Sequence, residues 1–160
     1  MKTKFIHFAG IDVSKAKIDV CVIVNTARSD MLHCIFEQNR KGFNELRKWL
    51  QKLVGKQKNN TLICIENTGL YDDALLYFLT EQSYSVCLEN AALIKKSIRD
   101  TRSKNDRLDA RHIAMYALRH CDDLELWEKP REVIEKIKQL LAYRSNLVES
   151  LKRIKQAQKE

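Results

Sequence analysis

Hydrophobic positions in the first half of the chain fall into short strand-like blocks, and later ones recur at three- and four-residue spacing. Along Phe5 to Val13 both alternating faces are largely apolar, with Ile6, Phe8 and Gly10 on one and Phe5, Ala9 and Ile11 on the other. That pattern predicts a central strand covered on both sides. Lys17 to Val24 predicts a second strand, and Met31 to Glu37 a third after a turn around Ala27 to Asp30. Short connections make these three an antiparallel meander. Phe43, Leu46, Leu50 and Leu53 then mark a helix that the polar segment Gly55 to Asn60 ends. Thr61 to Glu66 is a doubly apolar strand, and Tyr71, Leu75, Phe78 and Leu79 mark a second helix. Ser85 to Leu88 is the fifth strand, after which the chain turns helical and basic. A three-strand meander followed by alternating helices and strands predicts a layered α/β domain around a mixed sheet.

Two of these strands end on acids, Asp12 and Glu66. As parallel neighbours they would place both carboxylates at the carboxyl edge, where open α/β sheets carry ligands. Taken alone, Asp12 is better explained as bonding the backbone amides of the following turn. The stretch Arg102 to Leu118, RSKNDRLDARHIAMYAL, adds Asp106 and Asp109, three apart and so on one side of a helix. Ala110, Ile113, Ala114, Ala117 and Leu118 continue their line, so both acids are expected on the core-facing side. Carboxylates turned towards a core cost several kcal/mol unless compensated. Three explanations compete: capping of the helix N-terminus, pairing with Arg or Lys, and cation binding. Capping accounts for Asp106 more easily than for Asp109.

If that helix crosses the strand ends, four carboxylates converge. They cannot all stay ionised without a countercharge, and hard oxygen ligands suit Mg²⁺ or Mn²⁺. A pair of such ions is the apparatus of in-line phosphodiester chemistry.

Charge joins this idea to a partner. The 160 residues hold 29 Lys+Arg against 21 Asp+Glu, net +8, which favours a polyanion such as nucleic acid. Lys15, next to the first turn, and Lys95, Lys96, Arg99, Arg102, Lys104, Arg107 and Arg111, which flank the acidic pair, are the candidate nucleic-acid-facing residues; a merely solvated face is the competing explanation. The five cysteines are far apart and read as small core residues in a reducing cytosol. The four histidines lack metal-ligand spacing and read as structural. No apolar run approaches the roughly 18 residues of a membrane span, and the expectation is a cytoplasmic protein without a membrane partner.

At the C-terminal end, Pro130 suits a first helical position, and Val133, Ile137, Leu140, Leu147, Leu151 and Ile154 trace a seam that Arg144 interrupts. The expected organisation is a catalytic domain over 1–127 and a long helix over 128–160, acting as a coiled-coil arm for a homodimer or higher homo-oligomer.

The strings GIDVSKAKIDV, IENTGLYDDAL and KNDRLDARHIA, in that order and spacing, closely resemble the N-terminal domain of the DEDD transposases of the insertion-sequence-110 family, which includes the Piv-type DNA invertases. The likeness runs from about His7 to the last helix. It implies a ribonuclease-H-like, RuvC-type fold, an α/β mixed five-stranded sheet flanked by helices, whose four acids correspond to Asp12, Glu66, Asp106 and Asp109 and bind Mg²⁺. It also implies site-specific DNA recombination, directed in some members by a structured bridge RNA. Asn105 replaces the family's usual Thr and Ala91 its common Pro, neither touching the acids. The family's second domain, with a nucleophilic serine, has no counterpart in these residues, so the fragment is expected to be poorly active alone. Two alternatives from other classes are a non-catalytic nucleic-acid-binding and dimerisation module and, more remotely, one lobe of an actin-like sugar kinase or phosphatase.

Overall fold

The computed structural model describes residues 5–25, 30–55, 57–67, 69, 71–97, 106–130 and 132–157. By internal contacts the chain divides into two units, Met1–Trp127 and Glu128–Glu160.

In the first unit, β1 (His7–Val13), β2 (Lys17–Val24) and β3 (Asp30–Glu37) form the expected antiparallel meander. The β1–β2 turn is held by Ser14, whose N–H and hydroxyl both donate to the Lys17 carbonyl, at 3.0 and 2.9 Å. Helix α1 (Arg40–Val54) starts where the Asn39 side chain accepts the Gly42 N–H at 3.0 Å and stops at Gly55, which adopts a φ of 59°. A single 3-10 turn leads into β4 (Thr61–Asn67), followed by α2 (Asp73–Glu81) and β5 (Ser85–Asn90). Then come α3 (Ala91–Ser97) and α4 (Asp106–His120). Strand β1 pairs parallel to β4, and β4 parallel to β5, giving the order β3-β2-β1-β4-β5 with β1 in the middle. The apolar pattern of β1 on both faces has this central place as its reason.

One face of the sheet presents Ala9, Ile11, Val13, Val20, Val22, Ile63 and Ile65, packed with Leu46 and Leu50 of α1 and Leu75, Leu76 and Leu79 of α2. The other presents Phe8, Ile23 and Leu62 beneath α3 and α4. A row of small groups crosses this second face: Cys21, Gly10, Cys64 and Cys87 are register partners on four neighbouring strands. Ala110, Ala114 and Ala117 of α4 are fully buried here. A Cβ on Gly10 would overlap the Ala114 N and the Ala110 O, so α4 rests with its backbone against β1. The chain closes the unit at Trp127, whose N–H donates to the Val86 carbonyl at 2.7 Å and whose ring meets Tyr77 edge-on at 5.2 Å.

Strands β4 and β5 run further than their sequence pattern suggests, to Asn67 and Asn90, which brings Glu89 into the sheet. Lys95 and Lys96 lie on α3, whereas Arg99, Arg102 and Lys104 fall outside the described residues. The second unit contains one 26-residue helix, α5 (Glu132–Ala157), with Val133, Ile137, Leu140, Leu147, Leu151 and Ile154 exposed along it. Among the described residues no helix is long and apolar enough to cross a membrane.

Candidate metal centre

The site grows out of the register. Ile11 pairs with Ile65, so the next residues, Asp12 and Glu66, leave the two central parallel strands side by side. Asp12 is the partner of Asp19 on β2, and Glu66 the partner of Glu89 on β5. Side chains alternate along strands, so one row across four strands carries Asp19, Asp12, Glu66 and Glu89, one pleat above the small row on which α4 rests. The close seating of α4 brings its first turn to this row. Asp12, Asp106 and Asp109 each offer a carboxylate oxygen, and the three atoms lie within 4.8 Å of one another.

Electrostatics follows from that crowding. The Asp12 carboxyl is pushed up to about 6, first by burial and then by the charges of Glu66, Asp109, Asp106 and Asp19. Asp106 goes the other way: Lys17 Nζ lies 2.6 Å from its Oδ2, and this hydrogen bond holds its carboxyl below the ordinary range. The same ammonium reaches Asp19 Oδ2 at 3.0 Å, and the two bonds raise the Lys17 pKa. Asp19 is 3% exposed, and its other oxygen sits 3.1 Å from His33 Nε2, so this buried acid is satisfied on both sides. Glu66 stands outside the tight trio, with Lys95 Nζ at 3.9 Å. Glu89 accepts from the Tyr116 hydroxyl at 3.2 Å and from the Asn90 N–H at 2.7 Å.

The residues present fit a hard divalent cation. The trio is all carboxylate oxygen, without His or Cys, which is the donor set of Mg²⁺ or Mn²⁺ rather than of zinc. Burial first, and then four neighbouring carboxylates, disfavour the charged form of Asp12, and a bound cation would offset both.

Of the four predicted acids, three converge and the fourth is the next residue in the same sheet row. The expectation that Asp106 faces the core is corrected: its side chain is 55% exposed and paired with Lys17, and full burial along α4 begins only at Ala110. Lys15, Lys95, Lys96, Arg107 and Arg111 are all exposed, on the β1–β2 turn, α3 and the start of α4. Sequence reasoning missed Lys17, Asp19, His33 and Glu89. Asp19 had a visible signal: it interrupts the apolar run KIDVCVIV on the face shared with Cys21 and Ile23.

The fold is that of RuvC. Thermus thermophilus RuvC in complex with a Holliday junction substrate superposes with a TM-score of 0.53, covering 76% of this chain and 99% of that one at 11% identity. A second structure of Thermus thermophilus RuvC gives a TM-score of 0.53 at 10% identity. The chain is thus a ribonuclease-H-like domain of RuvC type with an acidic cluster at its carboxyl edge.

Residues 9–160 match the DEDD transposases of the insertion-sequence-110 family, and the chain belongs to that family. Relatives include the pilin gene-inverting proteins of Moraxella bovis, 29% identical over 142 residues, and of Moraxella lacunata, 28% identical over 142 residues. Each match covers 87% of this chain and 42% of the relative, so the chain spans less than half the length of these curated relatives.

Proposed function

We propose that this chain supplies the metal-binding acids of a DNA transposase or site-specific recombinase, with Asp12, Asp106 and Asp109 as the primary ligands and Glu66 completing the set. The observation that carries the reading is the convergence of three carboxylate oxygens within 4.8 Å from a strand end and a helix start that are remote in sequence. Charge repulsion opposes such a cluster unless it has a use for a cation. Mg²⁺ or Mn²⁺ held there would activate the attacking oxygen and stabilise the leaving oxygen of a phosphodiester.

The chain's own residues have separate tasks. Asp12, fixed at the end of the central strand, is the rigid ligand. Asp106 and Asp109 close on it from α4. Lys15, Lys95, Lys96, Arg107 and Arg111 are the proposed contacts to the nucleic-acid backbone, supported by their exposure and by the net charge of +8. The partner is DNA, and a structured guide RNA would use the same basic surface. Helix α5, with its exposed apolar seam, is the proposed coiled-coil arm for a homodimer or higher homo-oligomer. The 1–127 and 128–160 division is then one of catalytic domain and arm.

In a full-length protein, Asp12→Asn, Glu66→Gln and Asp109→Asn are each expected to abolish recombination while folding persists. Recombination at the wild-type level in these variants would sink the proposal. In the present chain, Mg²⁺ is expected to shift NMR signals of Gly10 to Ser14, Glu66 and Asp106 to Asp109, and Asp12→Asn to remove that response.

A second reading has one observation in its favour: Lys17 and Lys95 already pair with Asp106 and Glu66. A purely structural cluster on a nucleic-acid-binding module would need no more than that. DNA binding that falls linearly with log salt yet ignores EDTA, without any Mg²⁺ response at Asp12, would favour it.

A further inference from the structure

The acid cluster carries a cation of its own. Lys17 Nζ lies 2.6 Å from Asp106 Oδ2 and 3.0 Å from Asp19 Oδ2, joining β2 to the first turn of α4 across 89 residues of sequence. Its two partners differ. Asp19 is 3% exposed, belongs to a regular strand and is braced by His33, so it holds the ammonium in a fixed place. Asp106 is 55% exposed at the tip of a helix, and it is one of the three acids whose oxygens converge. The ammonium therefore has one permanent anchor and one partner that a divalent cation would also take.

An exposed lysine paired with an exposed carboxylate contributes little to stability, so stability alone gives no reason for this contact. Its position gives one. Three carboxylates this close repel each other, and a monovalent charge at the outer acid lowers that repulsion while leaving Asp12 and Asp109 without an ion-pair partner among the described residues.

We propose that Lys17 is a built-in counter-ion of the metal site, anchored on Asp19 and displaced from Asp106 when a divalent cation binds. The inference rests on the metal-binding reading above. Before metal arrives, Lys17 offsets part of the mutual repulsion of the acids, and it weakens the affinity of the site for free metal. Once displaced, its ammonium stays on Asp19 at the same edge, where an anionic backbone entering the site would meet it.

The test is a calorimetric titration of Mn²⁺ into the chain as wild type, Lys17→Gln, Lys17→Arg and Asp12→Asn, at low ionic strength, with thermal melts to show that each is folded. The Lys17 side chain is 42% exposed and His33 still partners Asp19 in its variants, which favours folding. Removing a unit charge beside the site should tighten Mn²⁺ binding roughly tenfold in Lys17→Gln. Lys17→Arg, which keeps the charge, should stay near the wild-type affinity. In parallel, the Lys17 side-chain methylene signals should shift at saturating Mg²⁺, as one of the two bonds of the ammonium is lost. Equal or weaker Mn²⁺ binding by Lys17→Gln, tightening in Lys17→Arg, or Lys17 signals indifferent to Mg²⁺ would overturn the proposal while the metal site stands. Identical heats for wild type and Asp12→Asn would overturn the metal site itself, and this inference with it.

Discussion

The two faces of the sheet are built from different side chains, and the difference explains where the acids meet. Under α1 and α2 the sheet offers branched aliphatics, Ile11, Val20, Val22, Ile63 and Ile65, which fill the space to Leu46, Leu50 and Leu75. Under α4 its middle row is Cys21, Gly10, Cys64 and Cys87, and the helix answers with alanines. Large side chains hold helices at the usual distance from a sheet and tolerate some repacking. A glycine against a helix backbone allows no such adjustment. The first face supplies burial, and the second also sets position, because α4 carries Asp106 and Asp109 to Asp12.

The largest effect expected from this contrast is at Gly10. Gly10→Val would drive a side chain into the Ala114 and Ala110 backbone, which cannot rotate away, and should destabilise the unit by about 3 kcal/mol or more and abolish the proposed Mn²⁺ binding. Urea denaturation and calorimetry would measure both, and a stable, metal-binding Gly10→Val would break the argument. Leu46→Ala on the opposite face should cost about 2–4 kcal/mol by leaving a cavity, with Mn²⁺ affinity unchanged in the folded protein.

Asp12→Asn should stabilise the metal-free unit. The folded-state pKa of about 6 lies above the unfolded value near 3.9, so the native state holds the proton more tightly. Its contribution is therefore present below about pH 4 and lost as pH rises through 6. Urea titrations in EDTA should show the variant ahead of wild type by on the order of 1–2 kcal/mol at pH 7.5 after solvent screening, with the gap closing near pH 4. A constant gap across that range would mean that ionisation of Asp12 is not its source. The smallest effect is at the α1 cap: Asn39→Ala should cost about 1 kcal/mol in thermal unfolding and leave the Mg²⁺-induced shifts untouched.

Much of this was legible in the residue pattern. The central strand, the meander and the strand-terminal places of Asp12 and Glu66 follow from alternation and short turns, both local properties. Asp109 was likewise readable as the acid at the head of an apolar helical stripe. The exposure of Asp106 was not, because periodicity gives the direction of a side chain around a helix but not where along the helix its burial begins.

The order of elements, the family motifs and the acids that chemistry can use were all written in the residue string. Folding in three dimensions set Asp19 opposite Asp12, Glu89 in the row beside Glu66, and Lys17 within reach of Asp106. The reason is physical: strand register and helix seating depend on contacts between distant segments, and a shift of one residue would turn every side chain of a strand to the other face.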